Sequence, residues 1–314
     1  MVSRGHRPLK VGLFLALWND AASGTVPRWT EVLARARRAE AVGFDSVWVP
    51  DHLLIRLPEA ETEGVWEGWS VLAALAAATE RVEFGILVAA AGFRNPAPLA
   101  KMAETVDEVS GGRLTLGLGA GWHEPEFRAF GYPFDHRVDR FEEALAVVTG
   151  LLRDGRADFA GTYHQARDCE LRPRGPRPGG LPVLVGAAGE RMLRLAARHA
   201  DAWGRDFDQV EPGTEPYSAA DLTAWQARVD VACVAVGRDP ATLARTAGVV
   251  VDLPIAPRRE GWGSGSLVGP PEALAEGLRG CARAGFSHVQ LWLNPGTVAG
   301  IDAFAPVLEL LDRG

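Results

Sequence analysis

The feature that most constrains this chain is a regular alternation. A short run of β-branched and apolar residues is followed by a helical pattern, and the pair recurs eight times. Val11–Ala16 reads as the first strand and Pro27–Val42 as the first helix, with Pro27 suited to a first turn. Further strands are expected at Asp45–Val49, Val82–Val88, Leu114–Leu118, Leu181–Val185, Asp201–Trp203, Thr246–Leu253 and His288–Leu293. Helices are expected at Trp66–Thr79, Pro98–Val109, Asp139–Leu152, Glu190–Arg198, Ala219–Val236, Pro271–Ala284 and Asp302–Leu311. Several strands are unbroken apolar runs, as parallel strands covered on both faces are. Eight β/α units in 314 residues favour an α/β fold closed into a (β/α)8 TIM barrel over a doubly wound sheet. With no linker in view, residues 1–314 read as a single barrel domain.

Connection lengths show where a site belongs. Helix-to-strand links such as Gly43-Phe44 and Gly285-Phe286 are tight. The long stretches Asp51–Val65, Gly119–His136, Arg205–Tyr217 and Pro254–Pro270 follow strands. They are insertion loops at the C-terminal face, where barrels place their chemistry. One long link, Asp154–Gly180, follows a helix and suggests a hairpin around Gly161-Thr162-Tyr163.

Composition narrows the function classes. Apolar residues make up 47% and charged residues 23%, ample for a large core. The net charge of -7, with no basic block, argues against nucleic acid and against anionic membrane. No run of eighteen apolar residues occurs and Met1–Lys10 has no apolar h-region, so a cytoplasmic protein without a membrane span is expected. Cys169, Cys233 and Cys281 are odd in number and far apart, which suits neither a disulfide framework nor a zinc cluster. Only Lys10 and Lys101 are lysines, and neither sits where a Schiff base would be made.

Other barrel chemistries find little support. No His-x-His ends the first strand, the seven histidines have no ligand spacing, and no metal site is expected. Nucleophile elbow and Walker loop are both missing. Asp51, Glu124 and Glu126 could be nominated as a glycosidase pair, but acids near strand ends occur in almost any barrel.

Two glycine-rich segments sit at strand ends. Gly117-Leu118-Gly119-Ala120-Gly121-Trp122 closes the fourth strand, and Gly186-Ala187-Ala188-Gly189 joins the fifth strand to a helix. Such loops let backbone amides approach an anion, or they simply allow tight packing. Asp51-His52 follows the second strand, where a histidine can serve as acid or base or can be structural. His199 reads as a packed or surface residue, while His123 and His136 lie in the fourth-strand loop and could be solvated or touch ligand. Trp18 and Trp122 could flank a planar ring at the mouth or could be core.

Taken in order, several segments resemble the luciferase-like monooxygenase superfamily. They are Gly43-Phe44-Asp45-Ser46-Val47-Trp48 with Asp51-His52, and Phe93-Arg94-Asn95-Pro96 with Leu99-Ala100-Lys101. Asp107, Ser110-Gly111-Gly112-Arg113-Leu114, the fourth-strand glycines, Pro182–Gly186 and Ala197–Trp203 complete the set. The resemblance runs from about residue 10 to 204; the last third matches mainly in pattern. It implies a (β/α)8 barrel that binds FMN or the deazaflavin coenzyme F420 at the strand C-termini, commonly as a homodimer. It implies a non-proline cis bulge at Leu87-Val88 behind the ring, although Leu87 is bulkier than the small residue often found there. Backbone phosphate contacts would map to Ala120-Gly121 and Ala187-Ala188-Gly189, with Gly119, Trp122 and Gly186 beside the cofactor. The Asp-His pair of deazaflavin sugar-phosphate dehydrogenases maps to Asp51 and His52, His52 being the base. Their glutamate after the fourth-strand glycine is Trp122 here, and their phosphate-binding lysines have no counterpart, so a sugar-phosphate dehydrogenase is not expected. Trp18, Phe93 and Glu126 are the expected walls of a substrate pocket. The expected activity is F420-dependent hydride transfer to or from a small organic substrate. The alternatives are an FMN monooxygenase using reduced flavin and O2, and a non-catalytic flavin-binding protein. A separate flavin or F420 reductase would be a further partner.

Overall fold

The apolar runs form eight parallel strands: β1 (Lys10–Phe14), β2 (Ser46–Val49), β3 (Glu83–Ala90), β4 (Leu114–Gly119), β5 (Val183–Gly186), β6 (Ala202–Arg205), β7 (Ala244–Asp252) and β8 (His288–Asn294). Each pairs with its sequence neighbours, and β8 pairs with both β7 and β1, so the sheet closes without an edge. This computed structural model describes residues 7–19, 24–257 and 265–313. Met1–His6 and residues 258–264 of the loop before Pro270 lie outside the described residues.

Nine helices among the described residues surround or cap the barrel: α1 (Trp29–Val42), α2 (Gly68–Ala78), α3 (Pro96–Ser110), α4 (Glu124–Ala129), α5 (Arg137–Asp154), α6 (Glu190–His199), α7 (Ala219–Ala235), α8 (Pro271–Arg283) and α9 (Val298–Asp312). Helix α3 begins two residues earlier than expected because Asn95 caps it, accepting from Ala97 N–H, and Pro96 fits its first turn. Thr297 extends α9 the same way by accepting from Gly300 N–H. The short α4, inside the loop after β4, is absent from the sequence expectation. The hairpin around Gly161 is present, as Arg156–Ala160 paired antiparallel with Gln165–Glu170.

Two cores result. One lies between strands and helices and contains outward-facing residues such as Val11, Val47, Phe84 and Val289. The other fills the barrel: Phe14, Trp18, Trp48, Ile55, Leu184, Phe207, Val250 and Trp292. Rings this large fit only because the neighbouring strands supply glycine. A Cβ on Gly12 would lie 2.4 Å from Ser46 Oγ and 2.8 Å from Trp48 Nε1, and one on Gly85 would lie 2.3 Å from Trp48 Cζ3. At the barrel floor Trp48 Nε1 donates to Ser46 Oγ at 2.8 Å, and His288 Nε2 meets the same oxygen at 2.8 Å. Burial pushes the His288 imidazole down to about 3, so it is neutral.

The motif residues between α3 and β4 prove to be scaffold. Arg113 donates to Ala76 O, Thr79 O and Val82 O, covering the carbonyl end of α2. Asp107 accepts from Leu114 N–H and pairs with Arg177.

Gly85→Ala is expected to lower stability by about 1–3 kcal/mol through overpacking against Trp48. Gly179→Ala, where nothing lies within 4 Å of the added Cβ, should stay within about 0.5 kcal/mol of the parent. Urea melts of the two variants measure the difference; equal midpoints would contradict this account of the interior.

Candidate active site

Asp51 and His52 leave the end of β2 in opposite directions. The Asp51 side chain is buried and accepts from Ala90 N–H at 2.9 Å and from both Arg94 terminal nitrogens at 2.6 and 2.9 Å. Arg94 also donates to Glu67 at 2.8 Å. Glu67 in turn caps α2, accepting from Trp69 and Ser70 N–H. One guanidinium thus pins the end of β2, the start of α2 and the turn after β3. Burial pushes the Asp51 carboxyl up, and Arg94 opposes that shift. Burial acts against the Arg94 charge too, yet its two carboxylate partners raise it overall. The bidentate geometry is that of an ion pair. Asp51 therefore acts on the backbone that carries His52.

His52 faces the mouth with its side chain 16% exposed. Its ring lies 6.2 Å from Trp18 and 5.7 Å from Trp122, edge-on to both. Its Nδ1 is 2.9 Å from Glu126 Oε1, while Glu126 Oε2 accepts from Leu53 N–H at 2.8 Å. Glu126, expected on the pocket wall, is only 2% exposed and stands behind His52. Beside it, His123 Nε2 accepts from Arg56 N–H at 2.9 Å, and burial lowers the His123 imidazole. That ring is neutral, with its lone pair already used.

The other two nominated pocket residues separate. Trp18 is buried in the barrel plug against Phe14 and Trp292 and shows an edge to His52. Phe93 packs instead on Phe127 at 4.6 Å and Tyr132 at 5.2 Å, in a satellite cluster under α4. Trp122 is 55% exposed at the rim.

The glycine loops divide by role. The Leu87-Val88 peptide is cis, and β3 shifts register against β4 at that point. Val88 rests on glycines from two other strands: added Cβ atoms would lie 3.1 Å from it at Gly117, 2.6 Å at Gly119 and 3.3 Å at Gly186. Gly121 has φ +75°, and its Cβ would meet Phe127 at 2.5 Å. These four glycines have packing reasons. Ala120 is half-buried beside them, and Arg137 donates to Gly121 O.

The loop after β5 differs. Ala187 O accepts from Trp203 Nε1 at 2.8 Å and Ala188 O from Arg228 at 2.7 Å, which fixes both carbonyls. The amides of Ala188 and Gly189 have no protein acceptor among the described residues. A Cβ on Gly189 would enter open space at the start of α6. Fixed carbonyls, free amides and a helix N-terminus make this loop suited to an anionic group.

Asp206, just past β6, went unnoticed in the sequence. It is solvent-accessible yet flanked by protein, and burial pushes its carboxyl up; Phe207 N–H and His52 oppose that shift, while Asp208 adds to it. Phe207 packs on Phe14 at 5.1 Å and Trp292 at 5.6 Å, so Asp206 rides on the barrel plug. The loop is anchored by Arg205 and Asp221, 2.8 Å apart and both fully buried. Neither lysine joins the mouth: Lys10 pairs with Glu83 at the start of the strands, and Lys101 donates to Arg172 O outside the barrel. Among the described residues no cluster of three His, Cys, Asp or Glu could hold a metal. No described helix is long and apolar enough to cross a membrane. A groove of about 370 Å³ between α7 and α8 is lined by Tyr217, Leu222, Glu276 and Arg283 and includes neither His52 nor the Ala188-Gly189 loop.

Comparison with known proteins finds relatives in sequence and in fold. Over 221 residues the chain is 34% identical to the F420-dependent glucose-6-phosphate dehydrogenase of Intrasporangium calvum, covering 66% of this chain and 63% of that one. It is 30% identical over 208 residues to the pyrimidine monooxygenase RutA of Cronobacter turicensis, covering 62% and 53%. The match thus spans less than two thirds of either relative's length. A solved F420-dependent secondary alcohol dehydrogenase, in complex with an F420-acetone adduct, superposes with a TM-score of 0.79 at 20% identity over 96% of this chain and 99% of that one, a likeness of fold. The family model described as luciferase-like monooxygenase matches residues 9–252.

Arg94→Met is expected to cost about 3–5 kcal/mol at pH 7, because Asp51 is left buried without a counter-charge. Adding Asp51→Asn should recover part of the loss. In the single variant the buried carboxyl binds its proton more tightly folded than unfolded, so stability should rise as pH falls from 7 to 5. Urea melts at the two pH values test this; no loss at pH 7 would show that Arg94 holds nothing in place.

Proposed function

Because the chain belongs to the luciferase-like monooxygenase family, we propose that it is an F420-dependent oxidoreductase whose cofactor sits at the C-terminal mouth of the barrel. The observation that carries this reading is the mouth itself. A half-buried histidine, backed by a carboxylate, faces the same opening as a loop with free amides. The residues fit such a cofactor: Ala188 and Gly189 offer amides to an anionic tail, and Gly189 leaves the space a side chain would fill. Bound there, the cofactor supplies a two-electron hydride acceptor or donor. His52 takes or returns the accompanying proton at its mouth-facing nitrogen. Asp51 and Arg94 hold the backbone beneath it. Trp122 at the rim and Trp18 below flank the substrate and keep water away.

The F420-dependent dehydrogenase relative supports this cofactor. Trp122 in place of the expected glutamate, and the absence of a lysine at the mouth, speak against a sugar phosphate as substrate. An FMN monooxygenase is the second reading, favoured by the RutA relative and by the aromatic mouth. A non-catalytic flavin-binding protein is the third, and His52 with its carboxylate partner speaks against it. On this reading residues 1–314 work as one barrel domain in the cytoplasm, as a homodimer, on a small molecule. A separate reductase renews the cofactor, and neither nucleic acid nor membrane takes part.

Titration of the purified protein with F420 and with FMN, read by absorbance and fluorescence, should show F420 at least about tenfold tighter, a difference of about 1.4 kcal/mol. Tight FMN binding without F420 binding would replace the first reading by the second, and binding of neither would overturn both. With the cofactor bound, His52→Ala should lower turnover by about 10²–10⁴-fold while leaving cofactor affinity within a few-fold.

A further inference from the structure

Two histidines stand side by side at the mouth, and their partners settle what each can do. His123 Nε2 accepts a backbone N–H, so its ring proton is on Nδ1 and its lone pair is occupied. His52 is arranged the other way: its Nδ1 meets Glu126, and its Nε2 has no hydrogen-bond partner among the described residues. Glu126 is held on both oxygens. Oε2 takes Leu53 N–H at 2.8 Å and Oε1 faces His52 Nδ1 at 2.9 Å.

The carboxylate is also fixed from behind. The next residue, Phe127, is buried in a slot that exists because residues 92 and 121 are glycines; their Cβ atoms would lie 2.7 and 2.5 Å from its ring. Phe93 and Phe134 close the slot at 4.6 and 5.2 Å. Helix α4 therefore cannot turn Glu126 away without expelling Phe127. Three contacts join the loop after β2 to this segment: His52 and Leu53 to Glu126, and Arg56 to His123.

We propose that Glu126 is a positioning residue that holds the His52 proton on Nδ1 and presents Nε2 to the mouth as a bare acceptor. The substrate group that meets His52 is then a hydrogen-bond donor, an O–H or N–H on or beside the reacting carbon. This deepens the reading of His52 as the proton-handling group, and it can be tested apart from that reading.

The test is the tautomer of His52, read by long-range proton–nitrogen NMR on the full-length protein and assigned by the signal lost in His52→Gln. The parent should show the proton on Nδ1. Glu126→Gln should change that, because one carboxylate oxygen becomes an NH2 donor, and Leu53 N–H, which can only donate, keeps the remaining oxygen while His52 can switch tautomer. The amide group then faces Nδ1 and drives the proton to Nε2. Glu126→Asp, which keeps two acceptor oxygens, should restore Nδ1–H and serves as the rescue variant. Cofactor-bound turnover of Glu126→Gln should fall at least about tenfold, mainly in kcat. A parent His52 carrying its proton on Nε2, or a Glu126→Gln protein with an unchanged tautomer, would overturn the proposal. A changed tautomer with undiminished turnover would uphold the positioning by Glu126 and overturn the substrate donor at Nε2, removing His52 from the reaction.

Discussion

The interior of a closed eight-stranded barrel has a set volume, and every other feature of this molecule follows from how that volume is filled. Five rings, Phe14, Trp18, Trp48, Phe207 and Trp292, occupy it. They fit because Gly12, Gly85 and Gly248 stand where a Cβ would lie within 3 Å of a ring. Close packing of this kind is rigid, since even one methylene has no free space to enter. The mouth rests on that plug. Trp18 contacts both Phe14 and Trp292 below and His52 above, and Phe207 carries Asp206.

Arginine does most of the joining around this frame. Arg94 ties three segments beneath His52, Arg113 covers the end of α2, and Arg205 anchors the loop after β6. Arg94 and Arg113 use the forked geometry of guanidinium, which meets several acceptors at once. Lysine offers no such fork, and the two lysines here lie away from the mouth. The charged residues around His52 thus hold backbone in place.

Much of this was legible before any coordinates. Short apolar runs, several of them unbroken, located all eight strands, because parallel barrel strands are buried on both faces. Asp51-His52 at the end of β2 pointed to the C-terminal face, since strand ends of a barrel converge there. What stayed hidden depended on contacts distant in sequence. The roles of Asp51 and Glu126 are set by Arg94 and His52, which lie 43 and 74 residues away from them. For the fourth-strand glycines the sequence left an anion loop and tight packing both open, and Gly117, Gly119 and Gly121 make room for Val88 and Phe127. A local signal for α4 did exist: Pro125 between Glu124 and Glu126 is a first-turn pattern. Asp206 carried no local signal.

We propose that the barrel mouth, built around His52, receives the cofactor. The most direct measurement is a crystal structure of the protein with F420 bound. The account predicts the ring beside His52 and Val88, with the anionic tail on the Ala188 and Gly189 amides. A cofactor found in the groove between α7 and α8, or with its tail away from Gly189, would contradict it.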